Sequence, residues 1–437
     1  MEVRDDGTTL AVADEPESRP GGIPLYVWVI AAVALAIPVG LYFGEGAQGL
    51  DLLPKVIIRA LSALAAPLVV LAILSAIVTN DVRGSQGARM MIYYLINTLV
   101  AMGFALLLGN LIRPGLGAEL VDLANPPPPL PKKSVTDLLV ELIPVSIGDA
   151  FARNNLAQLV LLTLALGIGL AKIRNEQRAR GETAYRAAVD LLTVGFELLM
   201  RVLLWVVALV PLAVFGVIAS SVGQKEGLRV FQSLLWLIVV VLAGLACQVT
   251  WYLMQMMVFA RISPWRFLRG ASDVMASTFS TSSTAATIPI TLGALSRMGV
   301  SRESSQLAAC VGTNFNNDGT ALYQATAVLF MAQALGFQLS WTDQVLIVLT
   351  TLVASVGAGG IPSGSFVTLP LIFAAVGLPA DKIPVLLTID WFLDRCRTTS
   401  NVLGDMTVAI LLDRTAEHPA SSPSPEPGEK EAETAEV

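Results

Sequence analysis

Apolar residues along this chain come in long blocks separated by short polar stretches, and the blocks are the length of membrane spans. Pro24 to Phe43 is the first, and Leu50 to Val78 the second, entered with Lys55 and Arg59 and carrying Pro67. Met90 to Leu111 follows with Tyr93, Tyr94, Asn97 and Thr98 inside it, then Leu156 to Leu170, Leu191 to Val222 with Pro211, and Val230 to Phe259. A helix needs roughly 20 mostly apolar residues to cross the hydrocarbon core, and several of these blocks reach that length. The polar stretches also order themselves by sign. Arg83 and Arg89 fall after the second block, Lys172, Arg174, Arg178, Arg180 and Arg186 after the fourth, and Arg261, Arg266 and Arg269 after the sixth. Basic residues mark cytoplasmic loops, so this alternation places the N-terminus and all three basic stretches on the cytoplasmic side. The connection from Arg113 to Ile143, with its Pro126–Pro129 run, is then a rigid loop on the other side.

After Arg269 the pattern changes. Met275 to Leu295 is apolar but crowded with small hydroxylated residues, Ser277-Thr278-Phe279-Ser280-Thr281-Ser282-Ser283-Thr284 and then Thr287-Ile288-Pro289. Val345 to Val376 has Gly357-Ala358-Gly359-Gly360-Ile361-Pro362-Ser363-Gly364-Ser365 at its centre. Each reads as a re-entrant hairpin with a break of small residues at its tip. Non-helical backbone at membrane depth is tolerated only where it is buried in protein or lines a cavity. Each hairpin precedes a span interrupted by polar residues: Gln306 to Leu335, broken at Asn314-Phe315-Asn316-Asn317-Asp318-Gly319-Thr320, and then Ile389 to Asp405. Two hairpin-plus-broken-helix units in succession are the pattern of an inverted repeat with a substrate site near the midplane. The expected fold is an all-α polytopic membrane protein with eight transmembrane helices and two re-entrant helical hairpins.

The final span carries the chemistry. Asp390, Asp394, Arg395, Arg397 and Asp405 are five full charges in a segment of membrane length. At about 100° per residue, Asp390, Asp394, Arg397, Thr398, Asn401 and Asp405 fall within roughly 100° of arc. A charge at bilayer depth costs about 2.5–3.5 kcal/mol on insertion scales. Such a stripe therefore faces a cavity, a ligand or partner charges. Arg397 presents a planar fork suited to a carboxylate, Asp394 is placed to meet an ammonium group, and Thr398 and Asn401 complete a polar wall. The alternative is an internal Asp394–Arg397 pair that holds helices together. The binding reading requires the Arg397 fork to stand open to a guest anion. Asp318, beside Asn316, Asn317 and Gly319, and Asp405, beside Gly404, sit where a helix can unwind and offer carbonyls with a carboxylate to a small cation such as Na⁺. A buried aspartate satisfied by a helix-end amide or an arginine is the other reading for each. For Asn97 and Thr98 it is hydrogen bonding between helices.

Composition agrees with the pattern: 54% of residues are hydrophobic and 14% charged, with mean hydropathy +0.68. The net charge of −6 comes partly from an acidic tail, Glu417 to Val437, and Met1 to Gly22 reads as a disordered polar leader without a cleavable signal. Cys247, Cys310 and Cys396 show no CxxC pairing, and the one histidine, His418, lies in the tail, so neither a metal cluster nor histidine catalysis is expected in the membrane. With no Gly-x-Ser-x-Gly or Gly-x-Gly-Asp element the chain does not read as an enzyme such as an intramembrane hydrolase. A passive channel stays open as a rival.

Thr281 to Thr284 with Thr287-Ile288-Pro289, Asn316 to Thr320, Gly357 to Ser365 and Asp390 to Asp405 together resemble the dicarboxylate/amino acid:cation symporter family, which includes the excitatory glutamate transporters. The resemblance covers Pro24 to Arg414 in layout. It implies a homotrimer in the cell (inner) membrane with both termini cytoplasmic, no nucleic acid partner, and an elevator mechanism. Beyond the leader at 1–22, scaffold helices 1–2 would occupy 23–89, transport-domain helix 3 90–113, scaffold helices 4–5 with the extracellular loop 114–229, and the rest of the transport domain 230–413, ahead of a disordered tail at 414–437.

Carried over by motif, the resemblance implies that Arg397 binds the side-chain carboxylate of L-aspartate or L-glutamate, Asp394 its amino group, and Asn401 and Thr398 its backbone end. Ser283, Thr284, Ile361, Pro362 and Gly364 would close over it, with Thr320 beside them. Asp405 with Gly312, Asn316 and Asn401 resembles one sodium site. Asp318 with Asn316, Tyr94, Asn97 and Thr98 resembles a second. Ser355, Val356 and Ala358 resemble a third. Arg395, as in the animal glutamate carriers, would brace the first hairpin tip. Asn317, Asn314 and Asn97 depart from the methionine and threonines common among sodium-coupled members, and Gln324 replaces the glutamate of proton- and potassium-coupled ones. The expected activity is Na⁺-coupled symport of aspartate or glutamate; the alternative is a proton-coupled carrier of these or of C4-dicarboxylates.

Overall fold

A computed structural model describes residues 25–79, 84–118, 140, 143–153, 155–223, 227–357 and 364–415. Among the described residues every regular element is a helix. The predicted spans become α1 (Leu25–Phe43), α2 (Leu52–Thr79), α3 (Gly84–Ile112), the short α4 (Ile147–Ala152), α5 (Leu156–Ala179), α6 (Ala184–Val207), α7 (Val210–Val222) and α8 (Gly227–Gln255). A long apolar segment satisfies its backbone in lipid within itself only as a helix, the other solution being a closed barrel of strands. Five described stretches are long and apolar enough to cross a membrane: Leu25–Ser75, Ser85–Ile112, Gln158–Ala179, Ala184–Val222 and Gln232–Ala260.

Two spans differ from the sequence reading. The fourth span does not stop at Leu170: α5 runs on to Ala179 and carries Lys172, Arg174 and Arg178 on its last turns. Buried Arg174 there donates to the Val78 carbonyl of α2. The fifth span is two helices, because Pro211 has no N–H to continue α6 and instead opens α7. The sixth closes near Phe259 as expected, in a single π turn, Met256–Ala260, ended by Arg261 in a left-handed conformation at φ +55°.

Beyond it come α9 (Pro264–Gly270), α10 (Ser272–Thr281), α11 (Thr284–Arg297), α12 (Arg302–Phe315), α13 (Asp318–Ala334), α14 (Trp341–Gly357), α15 (Ser365–Val376) and α16 (Pro384–Thr415). The breaks fall where the small and polar residues predicted them. Ser282, at φ +56°, turns the chain between α10 and α11, and Ser283 caps α11 by accepting from the Ala286 N–H at 3.2 Å. Asn316 and Asn317 separate α12 from α13. The tip between α14 and α15, with Ala358, Ile361 and Pro362, lies outside the described residues, as do the leader, the Pro126–Pro129 run and the acidic tail.

Packing sorts the helices into two groups. α1 lies along α7, and α2 along α5, α6 and α7. Small residues set these distances: a Cβ on Gly40 or Gly216 would come within 2.6 Å of the Ala219 or Leu50 carbonyl oxygen respectively. In the second group α16 is surrounded by α8, α10, α11, α12 and α13, while α3 packs on α8 and α13. α13 is buried on nearly every face, so its polar residues have no water to turn to. The groups meet where α14 and α15 touch α2 and where α16 touches α7.

Candidate functional site

The polar residues of α16 face the interior. Asp390, Arg397, Thr398, Asn401 and Asp405 are all buried. Asp390 and Arg397 are seven residues apart, two turns along one face, and Asp394 lies between them. The fork of Arg397 is fully engaged: Nη1 and Nη2 donate to the two oxygens of Asp390 at 2.7 and 3.3 Å, and Nε and Nη2 to Asp394 Oδ1 at 3.1 and 2.7 Å. This corrects the expectation that the fork stands open. A buried guanidinium without counter-charge costs several kcal/mol, and the nearest acids on its own helix remove that cost. The Tyr323 ring completes the enclosure, with the guanidinium carbon 4.5 Å from its centroid. Two carboxylates share one guanidinium, so with both ionised the cluster carries net −1. Of the two acids, Asp394 keeps more of its side chain accessible, 14% against 1% for Asp390.

One turn on, Asn401 knits this wall to the break in the neighbouring helix. Its Oδ1 accepts from the Gly319 N–H at 2.8 Å, and its Nδ2 donates to Thr320 Oγ1 at 3.2 Å and Asn317 Oδ1 at 3.4 Å. Asn317 in turn donates to the Ser355 carbonyl at 3.0 Å, which ties the break to the last turns of α14. Val356 follows there, and Gly364 stands at the head of α15, where its carbonyl accepts from the Thr368 N–H at 3.2 Å. Gly319 is confined to glycine by space: a Cβ would approach the Arg397 carbonyl oxygen at 2.7 Å. At the first hairpin tip Ser283 and Thr284 are buried and α10 and α11 both pack on α16. Arg395 reaches this tip as expected, donating to Ser282 Oγ at 2.8 Å, and its other face lies over the Tyr26 ring.

Asp405 and Asp318 form a second kind of site. Asn316 Nδ2 donates to Asp405 Oδ1 at 2.8 Å and to the Asn401 carbonyl at 2.9 Å, while the Gly312 carbonyl accepts from the Asn316 N–H at 2.7 Å. A Cβ on Gly312 would collide with Asp405 Oδ1 and with the Tyr94 hydroxyl, which donates to the Ala308 carbonyl at 2.9 Å. Several hard oxygens thus converge, and Asn316 Oδ1 is buried without a hydrogen-bond partner. Asp318 accepts from Thr98 Oγ1 at 2.5 Å, Tyr252 Oη at 2.8 Å and Gln248 Nε2 at 3.4 Å. Asn97 points elsewhere, its Oδ1 accepting from Trp251 Nε1 at 2.9 Å and Gln255 Nε2 at 2.7 Å. Among the described residues the hydrogen-bond donors to these two carboxylates are all neutral. Tyr252 and Gln248 are functional candidates that the sequence reading passed over. Their signal was a Gln-x-x-x-Tyr pair on one face in the middle of an apolar run.

A helical protein with apolar spans, whose two polar breaks converge on buried charge, belongs to the class of membrane transporters. The chain belongs to the sodium:dicarboxylate symporter family, whose model matches residues 25–415. That is a family of transporters, not of enzymes. It is 28% identical over 421 residues to the C4-dicarboxylate transport protein of Rhizobium johnstonii, covering 92% of this chain and 91% of the relative. It is 30% identical over 406 residues to the protein of the same name from Anaeromyxobacter sp. strain K, covering 89% of each. Excitatory amino acid transporter 1 of Bos taurus is 32% identical over 289 residues, 65% of this chain and 52% of the relative.

Proposed function

We propose that the protein is a cation-coupled symporter of acidic amino acids, L-aspartate or L-glutamate, with Na⁺ as the coupling ion. One observation carries this reading: Arg397 is shared by Asp390 and Asp394, and Asp394 is the more accessible acid. A guest bearing both carboxylate and ammonium groups is complementary to such a cluster. Its carboxylate takes over part of the guanidinium, and its ammonium meets the Asp394 oxygen released. A plain C4-dicarboxylate supplies the first exchange without the second. Asn401, Thr398 and Thr320 offer donors and acceptors for the rest of the guest, and Ser283, Thr284 and Gly364 lie on the hairpins that would cover it.

Asp405 with Asn316, Asn401 and Gly312, and Asp318 with Thr98, offer the oxygen ligands a sodium ion takes. In this reading Asn97 positions Trp251 and Gln255 behind the Asp318 site, and Tyr94 stands between the two acids. The Ser355 carbonyl, joined by Val356, is a third candidate that Asn317 now occupies with an amide N–H. The two helix groups suit a scaffold and a sliding transport domain in a trimer, with eight crossings and both termini cytoplasmic.

A C4-dicarboxylate substrate is the second reading, favoured by relatives of that name that match nearly the whole chain. Uptake of labelled L-aspartate and labelled succinate into proteoliposomes, under a Na⁺ gradient or a pH gradient alone, separates the readings. Na⁺-driven aspartate uptake is expected. Succinate uptake of equal efficiency, or aspartate uptake driven by the pH gradient without Na⁺, would overturn the substrate or the ion. Acceleration of labelled aspartate efflux by external unlabelled aspartate distinguishes carrier from channel.

A further inference from the structure

Away from the polar core, Arg266, Arg269 and Arg297 line one cavity of about 270 Å³ together with Gly270, Asp273 and Met298, where α9, α10 and α11 meet. Among the described residues Asp273 is the one acid lining it, and it accepts from Arg297, Nη2 to Oδ2 at 3.0 Å. Among the described residues neither Arg266 nor Arg269 has an acid within ion-pair distance, so the cavity holds net +2. Guanidinium groups gathered around one hollow repel each other, and an anion with several oxygens relieves that repulsion by taking bidentate bonds from more than one of them. A phosphate group has that shape and charge.

The surroundings indicate what the phosphate is attached to. The π turn just before α9 exposes Met257, Val258 and Phe259, an apolar ledge at the end of the span α8. Trp265, beside Arg266, is 74% exposed. Exposed apolar residues that give way to tryptophan and then arginine mark the level where hydrocarbon meets headgroups. The basic residues of this stretch place it at the cytoplasmic leaflet. A soluble phosphate would use the arginines and leave the ledge unused, whereas a phospholipid uses both. We propose that this cavity binds the phosphate headgroup of an anionic phospholipid, with acyl chains lying along Met257, Val258 and Phe259. The proposal rests on no part of the transport reading.

The test uses full-length protein in nanodiscs with brominated phosphatidylglycerol or brominated phosphatidylcholine, and reads quenching of tryptophan fluorescence. The Trp265 contribution is isolated by subtracting the Trp265→Phe signal. Preference for phosphatidylglycerol of about fivefold or more is expected at Trp265. It should vanish in Arg266→Gln/Arg269→Gln, whose unchanged helical circular dichroism and size-exclusion profile would show that it is folded. Equal quenching by the two lipids in the natural protein, or an undiminished preference in the double variant, would overturn the proposal. So would a soluble source: calorimetric binding of millimolar inorganic phosphate in phosphatidylcholine discs, with no phosphatidylglycerol preference.

Discussion

The two buried polar regions solve the same electrostatic problem in opposite ways. Around Arg397 the chain supplies its own counter-charge, two carboxylates for one guanidinium, with the distances of a paired cluster. Around Asp318 and Asp405 the donors among the described residues are all neutral, from Thr98, Gln248, Tyr252 and Asn316. A charge cluster closed on itself can exchange one internal partner for a guest of like chemistry, which is what a substrate site requires. Acids without a cation of their own need positive charge from outside, which is what coupling to an ion requires. This contrast is the ground for the proposal that the first region takes substrate and the second the cation.

The strongest way to break that assignment is to delete an acid of the second region. Asp405→Ala and Asp318→Ala are each expected to lower Na⁺-driven aspartate uptake by on the order of 100-fold. Retention of Na⁺ dependence in both variants would remove the cation role. Arg397→Ala comes next. It leaves Asp390 and Asp394 buried without their cation, which costs about 2–5 kcal/mol, so binding of acidic amino acids should fall on the order of 100-fold as read by calorimetry. Addition of Asp390→Asn to that variant should restore part of its thermal stability without restoring binding.

Asn317→Ala removes the amide that links Asn401 to the Ser355 carbonyl. A single hydrogen bond is worth about 1 kcal/mol, so a change of about fivefold in the Na⁺ concentration for half-maximal binding is expected. The smallest effect belongs to Arg395→Gln, which breaks the contact with Ser282 at the first hairpin tip. A two- to threefold slower uptake with unchanged aspartate affinity is expected, since one partly exposed charged bond contributes about 1 kcal/mol or less.

The breaks were legible because small and polar residues in an apolar run announce them. Ser282-Ser283 and Asn316-Asn317 separate helices where the pattern placed the interruptions, and Arg395 reaches the hairpin tip. The engagement of Arg397 was half legible. Asp390 was visible on the same stripe, but a stripe gives direction, and the distances that close a fork depend on rotamers. Tyr252 and Gln248 were hidden inside a run that reads as membrane span, since two polar residues barely lower its hydropathy. The extension of α5 past Leu170 is hidden for the opposite reason: basic residues suggest a loop, although a helix leaving the membrane keeps its hydrogen bonds. Pro211 lies inside one apolar run of span length, and the pattern does not show that the helix breaks there.

Calorimetric titration of the purified protein with L-aspartate and with succinate at saturating Na⁺ tests the central claim most directly. The cluster of Asp390, Asp394 and Arg397 predicts that aspartate binds at least about 100-fold more tightly, because only aspartate returns a cation to Asp394. Succinate binding with equal affinity would show that the acids around Arg397 serve the protein alone.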